Sequence, residues 1–139
     1  MGQIHVGYLL SDVWRLIRKR FHQDPNIQAM TLSQAKALNL ISRHEGIKQV
    51  ELADLLEIKP MSVVRVIDQL VSEGLVERRP NPNDRRAHLL YLKPAASEQL
   101  AIISSVGNTI WADALEGLSE EEKNQFIRTL NRIHHNLAK

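Results

Sequence analysis

After Gly74 the spacing of apolar residues changes from steps of three and four to alternation, and after Pro94 it changes back. Leu75-Val76-Glu77-Arg78-Arg79 and Ala87-His88-Leu89-Leu90-Tyr91-Leu92 read as two short strands around Pro80-Asn81-Pro82-Asn83-Asp84, a cluster of turn formers. A chain of 139 residues has room for one good hydrophobic core, so this hairpin must pack against the helices on either side of it. The expected fold class is mainly α (α+β).

The helices are marked by their ends as much as by their faces. Val6, Leu9, Leu10, Val13, Leu16, Ile17 and Phe21 put an apolar stripe on a helix from about Ile4 to His22, which Asp24-Pro25-Asn26 ends. Thr31 and Gln34 have capping-box spacing and open a second helix that runs to about His44, with Gly46 as its stop. Helical spacing returns from Gln49 to Leu56. Pro60 then suits the first turn of a helix ending at Gly74, because its missing N–H would have no intrahelical partner there. Pro94 starts a long helix with Leu100, Ile103, Val106, Ile110, Trp111, Ala114 and Leu115 on its apolar face and Gly107 as a weak point. Ser119 and Glu122 box the last helix, with Phe126, Ile127, Leu130, Ile133 and Leu137 on one face. Residues 31–93 thus form a lobe between an N-terminal helix over 1–30 and a C-terminal helix pair over 94–139, all within one compact domain.

Two helices joined by a tight turn, with small and apolar residues where they cross and polar ones on the outside of the second, make a helix-turn-helix. Gln49 to Leu70 fits: Leu52, Leu56, Ile58, Val63 and Val66 supply the shared core and Ala53 the crossing point. Lys59, Met61, Ser62 and Arg65 remain outward near the start of the second helix, the part that enters a major groove. The hairpin follows directly and carries Arg79 on its first strand and Asp84-Arg85-Arg86 at its turn. It describes a wing able to lie along the phosphate backbone or enter a minor groove.

Gln49-Val50-Glu51-Leu52-Ala53-Asp54-Leu55-Leu56, Pro60-Met61-Ser62-Val63-Val64-Arg65, the run from Asp68 to Pro80 and Asn83-Asp84-Arg85-Arg86-Ala87 resemble the MarR/SlyA family of winged-helix transcriptional regulators. The resemblance extends over nearly the whole chain, and the wing run is its most specific part. It implies a homodimer held by the N- and C-terminal helices, bound to a palindromic operator in double-stranded DNA. The helix from Pro60 would sit in the major groove and the wing in the flanking minor groove. Ser62 and Arg65 become base or phosphate contacts, Arg86 the minor-groove arginine, and Asp84 the group that orients a neighbouring arginine. Two departures stand out. Glu57 occupies a turn position where the family usually has glycine, so it must turn left-handed at some cost or the turn is built differently. Lys93-Pro94 replaces the family's Thr-Glu at the entry to the long helix.

Charge and composition narrow the alternatives. Lys and Arg number 18 against 16 Asp and Glu, a net charge of only +2, but Glu77 to Lys93 alone carries +3. A second basic cluster, Arg15, Arg18, Lys19 and Arg20, lies in the first helix. Cysteine is absent, which excludes thiol redox sensing and cysteine-based metal sites. The six histidines lack chelating spacing, so neither a metal nor another cofactor is expected. No Gly-rich phosphate loop, Gly-x-Ser-x-Gly elbow or metal dyad supplies catalytic machinery, and no enzyme activity is expected. No stretch approaches the roughly 20 apolar residues of a membrane span, and the N-terminal residues do not read as a signal peptide, so the expected location is the cytoplasm. Trp14, Arg18 and His44, with Tyr8 nearby, are candidates for a pocket that takes an organic anion, and the resemblance implies that this is a small aromatic or phenolic ligand that relieves repression. The competing reading is a winged-helix interaction or architectural module without specific DNA readout.

Overall fold

The computed structural model describes residues 3–27 and 30–139. Met1 and Gly2, part of the segment read for a targeting signal, lie outside them. The chain forms two compact units, Met1–Gly107 and Asn108–Lys139. Their boundary falls inside a helix.

The first unit contains α1 (Gln3–Gln23), α2 (Leu32–Arg43), β1 (Ile47–Lys48), α3 (Gln49–Leu56), α4 (Pro60–Ser72), β2 (Val76–Asn81), β3 (Asp84–Leu92) and the start of α5 (Ala96–Ala114). Local chemistry sets the helix starts. Thr31 is extended at φ −82° and ψ 161°; its Oγ1 accepts from the Gln34 N–H at 3.1 Å, and Gln34 Oε1 accepts from the Thr31 N–H at 3.1 Å. The long helix begins at Ala96, not Pro94, because the N–H groups of Ala96 and Ser97 bond to Lys93 and Pro94 in tight three-residue turns before the helix starts.

The sheet is antiparallel with strand order β1-β3-β2. β1 was not foreseen: it has two residues, pairing Ile47 with Leu90 and Lys48 with Leu89, too short for any periodic signal. Gly46 leads into it at φ +88° and donates to the Leu90 carbonyl at 2.9 Å. The backbone there favours glycine, and a Cβ would stand 3.1 Å from Tyr91 Oη, close enough that the ring would have to give by a few tenths of an ångström.

The core gathers Ile27, Leu38, Ile41, Leu52, Val63, Ile67, Leu70, Val76 and Leu90, all essentially inaccessible to water. Of the α1 stripe only Phe21 is buried; Val6, Leu9, Leu10, Val13 and Leu16 are exposed. In the second unit, α6 (Glu120–Leu137) opens on the expected box, with Ser119 Oγ accepting from the Glu122 N–H at 3.1 Å and Glu122 Oε1 from the Ser119 N–H at 2.9 Å. No residue of α6 is buried, so Ile127, Leu130 and Ile133 show their apolar face to solvent in the single chain. Among the described residues, no helix is long and apolar enough to cross a membrane.

Candidate nucleic-acid interface

The turn between α3 and α4 is three residues long, Glu57-Ile58-Lys59. Glu57 takes the left-handed conformation at φ 55° and ψ 41°, the only described non-glycine residue with positive φ. Its N–H donates to Asp54 O and that of Ile58 to Ala53 O, both at 3.1 Å, which together form a Schellman stop. The first of the two turn designs open to the sequence is therefore adopted. Lys59 then extends at φ −68° and ψ 149°, as a residue before proline prefers, and Pro60 opens α4.

Along α4, Val63, Ile67 and Leu70 face the core at helical spacing, while Lys59, Met61, Ser62 and Arg65 all lie exposed at its first two turns. Met61 is 76% exposed. Among the described residues, none covers this large apolar side chain on the outward face.

The wing is tighter than its sequence suggested. β2 and β3 reach to Asn81 and Asp84, leaving only Pro82-Asn83 as the turn. Asn81 Oδ1 accepts from the Asn83 N–H at 3.0 Å. Register then breaks: Asn81 pairs with Asp84 and Pro80 with His88, so Arg85, Arg86 and Ala87 bulge out of the ladder. Asp84 Oδ1 accepts from the Arg86 backbone N–H at 3.0 Å. The carboxylate thus meets that arginine at its main chain. Arg85 and Arg86 are exposed, and a hollow of about 300 Å³ is lined jointly by Pro60 and Val64 of α4 and by Asp84, Arg86 and His88 of the wing. The helix start and the wing arginine are neighbours.

The MarR family model matches residues 30–88, the stretch from the residue before the α2 cap into β3. Among solved structures, a crystal structure of MarR is 25% identical with a TM-score of 0.87, covering 96% of this chain and 97% of that one. A MarR variant from E. coli in complex with operator DNA is 27% identical, with a TM-score of 0.78 and 94% of each chain covered. A MarR transcriptional regulator from Methanosarcina mazei Go1 shares the fold at 22% identity and a TM-score of 0.84, with 96% of each chain covered. Residues 30–88 are a match to the MarR family. Its members are transcription regulators, not enzymes.

Within this winged helix the expected site residues separate into groups. Lys59, Met61, Ser62, Arg65, Arg85 and Arg86 are exposed on α4 and the wing bulge. Arg79 is placed differently. Its guanidinium stacks over the Tyr91 ring at 3.8 Å and pairs with Glu77 at 2.6 Å, on the stem of the wing. Its neighbour Arg78, which the sequence reading passed over, points to the opposite face of the sheet, toward α4. Strand alternation was the available signal: Val76 and Arg78 share a face, and Val76 is buried.

Of the expected ligand residues, Arg18 and His44 line different hollows of the single chain. Trp14 and Arg18 lie one helical turn apart on α1, where Lys36 Nζ sits 4.7 Å from the Trp14 ring centroid. Arg18 lines a shallow hollow on α1 with Tyr8 and Asp12. His44 caps the C-terminus of α2 and lines a separate hollow with Glu45, Glu51 and Asp54. His44 sits at the end of α2 that leads into β1. Among the described residues, no group of three or more His, Asp or Glu is placed to hold a metal ion.

Proposed function

We propose that this MarR-family protein is a homodimer that binds a palindromic operator in double-stranded DNA, represses transcription from it, and is released by a small organic ligand. The observation that carries the DNA-binding part is the shared hollow, which sets the exposed start of α4 beside the bulged arginine of the wing. A helix start of that composition suits base edges in a major groove, and an exposed arginine beyond it suits the adjacent minor groove. The relative from E. coli solved with operator DNA supports the same reading.

Dimerisation is supported by the uncovered apolar faces of α1 and α6. A two-fold axis relating two α4 helices calls for half-sites centred about 10 base pairs apart. The ligand is proposed as an aromatic carboxylate or phenol, since a chain without cysteine has no thiol to sense oxidants. Arg18 is its proposed anion partner, with Trp14 on the same face of α1; His44 drops out of the set.

The deciding experiment is selection of duplexes from a random-sequence library on the purified protein, followed by footprinting and salt titration of the enriched duplex. A palindrome protected on both half-sites is expected, with affinity falling about a thousandfold between roughly 50 and 200 mM salt if six or more phosphates are neutralised. Failure to enrich any sequence would return the protein to the class of winged-helix interaction modules. Release of the enriched duplex by salicylate, blunted in Arg18→Ala, is the expected result for the ligand.

A further inference from the structure

Arg78 makes three polar contacts to elements of the DNA-reading unit. Its Nε donates to Gln49 Oε1 at the start of α3 at 2.9 Å, its Nη2 donates to the Val64 carbonyl in α4 at 3.4 Å, and the same nitrogen pairs with Asp68 Oδ1 one turn further along at 2.8 Å. The arginine stands on β2, the strand that carries the wing. Its side chain is only 23% exposed, whereas that of Asp68 is 58% exposed. A planar guanidinium can serve several acceptors in one fixed geometry, which an ammonium group cannot.

We infer that Arg78 is a positioning residue for DNA recognition: it locks the wing to the recognition helix α4 so that Arg86 and the start of α4 reach adjacent grooves together. The inference rests on the DNA-binding reading above and adds a residue that touches no nucleotide. The wing ladder is regular from Val76 to Pro80, so the orientation of β2 at Arg78 passes directly to the bulge at Arg85 and Arg86. Among the described residues, the bonds to Gln49, Val64 and Asp68 tie β2 to α3 and α4 through a side chain in one fixed direction. The packing of Val76 and Leu90 is non-directional and sets distance more than angle.

The role of Asp68 separates this idea from simple electrostatics. Asp68 is an exposed carboxylate on the helix that faces DNA, so removing its charge should tighten binding if phosphate repulsion were its main effect. If instead it holds Arg78, its removal should weaken binding. The test uses full-length protein and the duplex enriched on the wild type, with folding of each variant checked by circular dichroism. Arg78→Lys and Asp68→Asn are each expected to weaken binding about tenfold, the worth of one charge-assisted hydrogen bond. The log-log salt slope is expected to stay unchanged, and footprints should lose the minor-groove flanks while keeping the major-groove centre.

Tighter binding by Asp68→Asn would overturn the inference, as would wild-type affinity in Arg78→Lys. A salt slope reduced by about 0.9 in Arg78→Lys would assign Arg78 to a phosphate instead. Uniform loss across the footprint would reduce its role to general stability. Failure of the wild type to enrich any duplex is a different result, and it strikes the DNA-binding reading itself.

Discussion

The guanidinium of Arg79 lies 3.8 Å from the centre of the Tyr91 ring and 2.6 Å from Glu77, so this arginine braces the wing from the face turned away from α4. Arg79→Ala should therefore act first on stability, lowering it by about 0.5 to 1 kcal/mol, the usual worth of an exposed cation–π contact. Arg86→Ala should do the reverse, costing about 1 to 3 kcal/mol of operator binding while leaving the melting temperature unchanged. Thermal melts and binding isotherms on both variants check the pair. Equal binding losses would mean that Arg79 leaves its ring to meet DNA.

Glu57 offers a stabilising substitution. A side chain in the left-handed region costs about 1 to 2 kcal/mol, and glycine removes that cost at an entropic penalty of about 0.5 to 1 kcal/mol. Glu57→Gly is expected to raise stability by roughly 0.5 to 1 kcal/mol net. Operator affinity should not fall, because the turn geometry is the one already present. A lower denaturant midpoint would show that the Glu57 side chain contributes more than its backbone conformation costs.

Met61 is the outward apolar residue at the start of α4, and the apolar feature that a major groove offers is the thymine methyl group. Met61→Ala is expected to weaken binding to the enriched duplex by about 1 kcal/mol, near the value of one buried methylene. Replacing thymine by uracil in that duplex should weaken wild-type binding and erase the difference between wild type and variant. A Met61→Ala deficit that persists on the uracil duplex would point to a different contact.

The apolar faces of α1 and α6 predict the oligomeric state. Leu9 is 65% exposed and Ile127 52% exposed, a poor arrangement for an isolated soluble chain. Sedimentation of the wild type at micromolar concentration should give a dimer. Ile127→Glu should shift it toward monomer and weaken operator binding, since one half-site then has to bind alone. A well-folded monomeric wild type would contradict the two-fold architecture.

Much of this molecule could be read from the order of its residues because the relevant forces are local. Thr31 with Gln34, Ser119 with Glu122 and Pro60 at the head of α4 satisfy or dispense with helix-end N–H groups within four residues, so the helix starts could be anticipated from neighbours alone. The apolar faces of α4 and the alternation of β3 follow from the same short-range periodicity. Three features waited for the tertiary fold. β1 exists because Ile47 and Lys48 meet Leu90 and Leu89, more than forty residues away, and two residues carry no period of their own. Arg78 and Arg79 look interchangeable in sequence, yet the strand sends one toward Asp68 and Gln49 and the other toward Tyr91, because adjacent side chains on a strand face opposite ways and only the packed sheet says which face meets the helices. His44 was grouped with Trp14 and Arg18 by residue type, and in the fold it lines a different hollow from Arg18. Residue order determined which segments fold and where they stop; the long-range contacts, whose partners no local pattern names, decided which wing charges turn toward α4 and which turn away from it.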